Sequence, residues 1–237
     1  MADAKNVDGD SLDKNSTKQL NRLRAAVLGA DDGIVSIAGL VVGVAGATNS
    51  RTPILTAGLA GLVAGMLSMA AGEYVSVSSQ RDTERAMIKK EKFELDHYPD
   101  EEMDELAQIY ISKGLSAKTA KEVAKELSQK DPYAAHLDAE LAIDPNDLAN
   151  PWQAAIASAA AYLGGAVLPM AAILIPPAAS RIPITFVSVI LALVITGAIS
   201  ARFGKAPVKH AVLRVAVGGA LAMLITYGIG RLVGANI

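Results

Sequence analysis

Long apolar runs alternate with short breaks of turn chemistry along this chain, and no stretch shows the period-2 alternation of a half-buried strand. A helix that crosses a bilayer needs roughly 20 mostly apolar residues. Five runs qualify: about 25–48, 54–79, 152–175, 184–201 and 211–233. The breaks read "NSRTP", "NDLANP", "IPPAASRIP" and "RFGKAP" before the second, third, fourth and fifth runs. Between the second and third runs the pattern turns polar but stays helical. The second helix continues to about His97 without a breaker and ends at Pro99, and a further helix of about 101–113 stops at Gly114. Ser116 caps one at about 117–130, and Asp131 caps a last one with Pro132 at its first position. The expected fold class is all-α: a polytopic membrane protein with five transmembrane helices and a cytoplasmic helical insert between helices two and three.

The expected division is a disordered N-terminal tail (1–21), transmembrane helices one and two (22–80), an acidic insert (81–150) and transmembrane helices three to five (151–237). The first 20 residues show neither a signal-peptide core nor an arginine-rich transit pattern. Basic residues set the orientation. Lys18, Arg22 and Arg24 precede the first run and Arg202, Lys205 and Lys209 fill the last break, whereas the opposite loops carry only Arg51 and Arg181. The positive-inside rule then puts the N-terminus and the insert in the cytoplasm.

Composition sharpens this picture. Residues 81–150 hold 17 of the 24 acids and 10 of the 22 bases, a net of −7, so cations and not nucleic acid are the expected partners. The chain has no cysteine, which leaves oxygen, imidazole and thioether as metal donors.

Two adjacent acids, Asp31 and Asp32, stand inside "LGADDGIVSIAGLVVGVAGA". Asp32 lies about 12 Å beyond Arg24 at 1.5 Å per residue, and an ionised carboxylate at that depth costs at least about 2.5 to 3.5 kcal/mol. Asp32, Ser36, Gly39, Gly43 and Gly46 share one helix face. Its small residues read equally as a packing seam. Asp31, about 100° round the helix, is expected to tolerate change. In the second run Met66, Met69 and Glu73 share a face. Methionine stripes usually fill cores, but thioether beside carboxylate also suits weak binding of a borderline divalent metal in transit. The insert repeats paired donors: Glu91 with Glu94, Glu102 with Glu105, and His136 with Glu140. Such pairs are common on solvated helices, and Lys89, Lys90 and Lys92 could neutralise some of them in surface ion pairs. Three pairs on helices that can pack together resemble the way carboxylate metal sites are built in bundles.

Taken in order, "DGIVSIAGLVVGVAGA", "AGLAGLVAGMLSMAAGEYVSV" and the acidic insert resemble the vacuolar iron transporter family of Fe(II)/Mn(II) transporters, from residue 22 to the end. The resemblance implies five membrane helices and a homodimer in which first helices face each other around the translocation path. It implies Asp32 and Met69 as pathway residues and Glu91, Glu94, Glu102, Glu105 and Glu140 as metal ligands. Met66, Ser36 and Glu73 join the expected pathway from their shared helix faces alone, and Glu73 is not among the pathway residues of plant members. Plant members have a glutamate where this chain has Gly61, and paired methionines where it has His136 and Leu137. Imidazole in place of thioether keeps a borderline donor, so His136 joins the expected ligands.

The expected function is therefore proton-coupled export of Fe(II), and of Mn(II), from the cytoplasm, with Zn(II) able to stand in. The expected partners are a second copy, the lipid bilayer, metal ions and protons, with no prosthetic group and no enzymatic activity. A bacterial inner membrane is expected, or a vacuolar membrane in a eukaryote. Two rivals use the same residues: a membrane-anchored di-iron oxidase and a metal sensor that transports nothing. No GxxxxGK[ST] loop occurs, which argues against pumping driven by ATP.

Overall fold

A computed structural model describes residues 9–236, with side chains from residue 25 onward. Among the described residues, eight α-helices occur in the order α1 (Gly9–Ala47), α2 (Arg51–His97), α3 (Pro99–Ser112), α4 (Ala117–Lys130), α5 (Pro132–His136), α6 (Pro151–Leu174), α7 (Arg181–Phe203) and α8 (Val208–Gly234). A π-turn, Leu137–Leu141, extends α5, and the described residues contain no strand. Five helices, α1 over Ala25–Ala47 and all of α2, α6, α7 and α8, are long and apolar enough to span a membrane. The described part of the expected tail is helical from Gly9, and residues 1–8 lie outside the described residues.

The chain divides into two compact units, one made of residues up to Glu73 with Ala155 onward, the other of Tyr74–Ala154. In the first, α1 is central, and Ile37, Ala38, Val41 and Val42 on it are fully buried against Tyr162, Ile173, Val189, Leu193 and Met223. Outward faces stay apolar: Leu59, Val63 and Leu67 on α2, and Leu221, Leu224 and Ile225 on α8, are all exposed. Such surface suits hydrocarbon, where association rests on close packing of small residues. Two glycines show this. A side chain at Gly230 of α8 would collide with the carbonyl of Gly43 on α1, and one at Gly165 of α6 with the carbonyl of Ala30.

This packing decides between the readings of the small face of α1. Gly39 and Gly43 lie against Thr226, and Gly46 against Tyr227, so the glycines form a seam with α8 of the same chain. Asp32 and Ser36, at the other end of that face, are exposed.

Arg51 and Arg181 join the loops they occupy. Arg51 Nη2 donates to the Pro176 carbonyl and Arg181 Nη1 to the Asn49 carbonyl, each at 3.3 Å. The α1–α2 and α6–α7 loops therefore meet at one end of the bundle, and the basic α7–α8 break falls at the other.

The second unit follows its caps. Ser116 accepts from the Thr119 backbone N–H at 3.3 Å, and Asp131 from that of Ala134 at 3.0 Å. Gly114 adopts φ +103°, the left-handed region that glycine enters without strain. α2 ends at His97 before Pro99 as expected, and Pro99 also opens α3 at its first turn, where the missing N–H costs nothing, so that helix starts about two residues earlier than expected. The Tyr74 and Trp152 rings lie 4.9 Å apart and are both exposed, where apolar sequence gives way to charge. Tyr and Trp concentrate at the headgroup level of membranes.

Candidate metal centre and translocation residues

The insert brings four of its six expected ligands together. Glu91 comes from the polar end of α2, well beyond the apolar run 54–79, Glu102 from α3, His136 from the end of α5 and Glu140 from the π-turn. One donor atom from each lies within 4.8 Å of the others. His136 Nδ1 is 2.9 Å from Glu91 Oε1, 3.6 Å from Glu102 Oε2 and 3.7 Å from Glu140 Oε2. The Glu91 and His136 side chains are 3% and 1% exposed.

Leu106, Ala107 and Ala124 pack α3 against α4, with Tyr110, Ala135 and Ala139 closing the cluster around them. This small core fixes which face of α3 turns inward, and Glu102 lies one turn before Leu106 on it. The π-turn ends at Ala142, which has φ +51°. Such turns recur at functional sites because they re-aim a side chain within a helix.

Each expected glutamate pair is split. Glu91 is buried, whereas Glu94, one turn on, receives Lys90 Nζ at 2.6 Å. Glu102 is buried and Glu105 is exposed. Positions i and i+3 are about 60° apart around a helix, so a site enclosed on several sides takes one of them and leaves the other in water. The Lys90–Glu94 pair is a surface ion pair of the kind that contributes little.

The donors are short of partners. Despite the 2.9 Å separation, Glu91 Oε1 and His136 Nδ1 are not aligned for a hydrogen bond, and both are buried without one, as is His136 Nε2. Burial, then the charges of Glu140 and Glu102, pushes the Glu91 carboxyl up to about 7. Burial raises Glu102 likewise, with Glu105, Glu94 and Glu140 adding to it, and lowers His136. Leaving buried polar atoms unpaired is costly. A dication would satisfy three carboxylates and an imidazole at once, and this mixed oxygen and nitrogen set suits a borderline metal.

A proton must leave Glu91 before a metal can use both its oxygens. Metal affinity is accordingly expected to fall about tenfold per pH unit below about 7 and to level off above it. Calorimetry at pH 6 in buffers of different ionisation enthalpy should show about one proton released per metal bound.

The membrane residues are arranged differently. Asp32 is exposed, and the Ser36 hydroxyl donates to its carbonyl at 2.5 Å and lies 2.8 Å from the Tyr162 hydroxyl. Met66 and Met69 are half-buried against the core, and Glu73 is half-buried. Among the described residues, the insert group is the cluster of acids and imidazole within metal-binding reach of one another, and Asp32 and Glu73 are not in it. Gly61 lies against the tip of Leu40, which a carboxylate at that position would displace.

Two residues that sequence reasoning passed over stand out. Tyr162 is 3% exposed, with its hydroxyl between Ser36 and Gly65. Thr196 of α7 donates its hydroxyl to Asp31 Oδ1 at 2.5 Å, so Asp31 is not the idle neighbour of Asp32 that its spacing suggested. The available signal for each was a hydroxyl inside an apolar span, which Ser158 and Ser188 in the same spans share. An interhelical hydrogen bond of this kind contributes about 0.6 kcal/mol on average. A carboxylate in a span costs at least about 2.5 to 3.5 kcal/mol.

Relatives place this architecture. The sequence profile of the VIT family matches residues 23–231. The chain is 43% identical to a vacuolar iron transporter of Acanthamoeba castellanii, over 95% of its own length and 84% of the relative's. It is 38% identical to vacuolar iron transporter homolog 4 of Arabidopsis thaliana, over 93% and 88% of the two chains. It is 33% identical to VIT-like transporter 1b of Glycine max, over 99% and 87%. With likeness running from the first span through the insert to the last, this integral membrane protein belongs to the VIT family, a family of transporters and not of enzymes.

Proposed function

We propose that this protein carries Fe(II), and Mn(II), out of the cytoplasm as a homodimer that exchanges metal for protons. The observation that carries the reading is the group of buried Glu91, Glu102 and His136 with Glu140 at its exposed edge, in which Glu91 Oε1 and both His136 nitrogens are buried without hydrogen-bond partners. The names of the relatives supply iron as the cargo. In this reading the insert is cytoplasmic and collects metal. Asp32 and Met69 pass it along the face of α1 and α2, and Glu73 handles metal or proton at the end of the span. The same assignment puts the N-terminus in the cytoplasm, at a bacterial inner membrane or a vacuolar membrane. Glu94 and Glu105 act as outer acids that raise the local metal concentration, and Zn(II) substitutes as a probe.

An apolar groove of about 310 Å³ along α1 and α8, lined by Leu40, Val44, Ile229 and Val233, supports the dimer. A helix of a second copy would fill it, and the first helices would then lie side by side with their exposed Asp32 residues near the two-fold axis.

Purified protein in sealed vesicles, loaded with an Fe(II)-quenched dye under anaerobic conditions, tests the reading. Metal-dependent quenching that quickens under a pH gradient is the expected result. Stoichiometric metal binding with no flux would instead identify a sensor.

Glu73 sits beside the Tyr74–Trp152 aromatic pair in sequence, at the end of the apolar run. Glu73→Gln keeps the shape and removes the exchangeable proton. It is expected to slow flux severalfold and to blunt its dependence on the pH gradient. Unchanged flux and gradient dependence would reduce Glu73 to an interfacial acid.

A further inference from the structure

The two adjacent acids of α1 point at different neighbours, and this suggests separate roles. Asp32 is exposed on the face assigned to the pathway, whereas Asp31 is half-buried towards α7 and receives the Thr196 hydroxyl. Thr196 also approaches the Leu193 carbonyl of its own helix at 3.3 Å, which is how a threonine normally satisfies itself in a helix. Thr196 is thus not a group in need of an acid. The rotation of α1 is already set by backbone-close seams, with Gly33 against the Tyr162 carbonyl and Gly165 against that of Ala30 on one side and Gly230 against Gly43 on the other. A neutral acceptor such as asparagine would serve a simple tie equally well, and the tie contributes only a small part of what an ionised group in the span costs. What distinguishes aspartate from asparagine here is its charge.

We propose that Asp31 is an affinity-determining residue for the divalent cargo: Thr196 holds its carboxylate off the pathway, and its charge attracts the ion that Asp32 contacts. The two Cα atoms are one peptide, about 3.8 Å, apart, so the second charge acts at short range in a medium that screens poorly. A dication feels it twice as strongly as a monovalent ion. Because Thr196 turns Asp31 towards α7, the charge raises affinity without adding a ligand that must be released in each cycle. This inference rests on the transport reading above.

Fe(II) flux in vesicles, measured against metal concentration for the full chain and two variants, tests it. Asp31→Asn keeps an acceptor for Thr196 and loses the charge, and it is expected to raise KM about tenfold while kcat stays within about twofold. Its KM should also vary less with KCl concentration than that of the parent. Thr196→Val keeps the charge and loses the tie, and it is expected to raise KM no more than about threefold, with Thr196→Ser restoring the parental value. Parental KM in Asp31→Asn overturns the proposal, as does an equal loss of folded protein in Asp31→Asn and Thr196→Val, which would mark a structural tie. Absence of Fe(II) flux in the parent protein would sink the transport reading and this inference with it, whereas parental flux with an unaltered Asp31→Asn sinks the inference alone.

Discussion

Replacing both Glu91 and Glu102 with glutamine is expected to weaken divalent-metal binding to the full chain by at least about a hundredfold, while making the metal-free protein more stable above pH 7. The two effects have one cause. Without a cation, the insert holds carboxylates close to one another, and burial, with repulsion from neighbouring acids added to it, raises Glu91 to about 7 and Glu102 in the same direction. A carboxyl whose pKa is raised on folding contributes its full stability below its unfolded value, 4.5 for Glu91, and loses it as pH rises through the folded value. The metal-free parent should therefore lose apparent Tm between about pH 4.5 and 7 through Glu91, and Glu91→Gln should flatten that fall. His136 works in the opposite sense below its ordinary value of 6.5, because burial disfavours the charged ring that the unfolded chain would form. A metal ion reverses the ranking of parent and variant, because it binds the parent's carboxylates and stabilises by mass action. Thermal melts with and without Mn(II), across pH, and equilibrium titration of the same samples measure both effects. Parental affinity in the double variant would show that the cluster is not the metal centre.

The second large effect is expected in the membrane. Asp32→Ala should reduce Fe(II) flux by at least about a hundredfold with the protein still folded, since the exposed Asp32 side chain supports no packing. Met69 is half-buried against the core, so alanine there confounds a lost thioether with a lost contact. Met69→Leu keeps the volume and removes only the sulfur. Flux that falls in Met69→Leu as far as in Met69→Ala assigns the effect to the thioether. Flux retained in Met69→Leu assigns Met69 to the core, and parental rates in Asp32→Ala would remove α1 from the pathway. Size-exclusion profiles of each variant establish that the assembly is intact.

Much of this architecture was readable in the sequence because the rules involved are local. Run length gave five spans, since a bilayer demands about 20 apolar residues whatever else the chain does. Ser116 and Asp131 marked helix starts because a capping oxygen needs only the N–H three residues on, and both make that bond. The insert pairs were likewise visible as i, i+3 and i, i+4 spacings. Three features depended on packing between elements distant in sequence and were settled only by the tertiary structure. One is the choice of Glu91 over Glu94 and of Glu102 over Glu105, which depends on the face each helix turns towards the cluster. Spacing on one helix cannot specify that face. Another is the glycine stripe of α1, which meets Thr226 and Tyr227 some 180 residues away. The last is the separation of Asp31 from Asp32. The sequence shows two equal acids side by side. The 100° turn between neighbouring helical positions sends one to Thr196 and leaves the other on the surface, so equivalent residues acquire different physical surroundings.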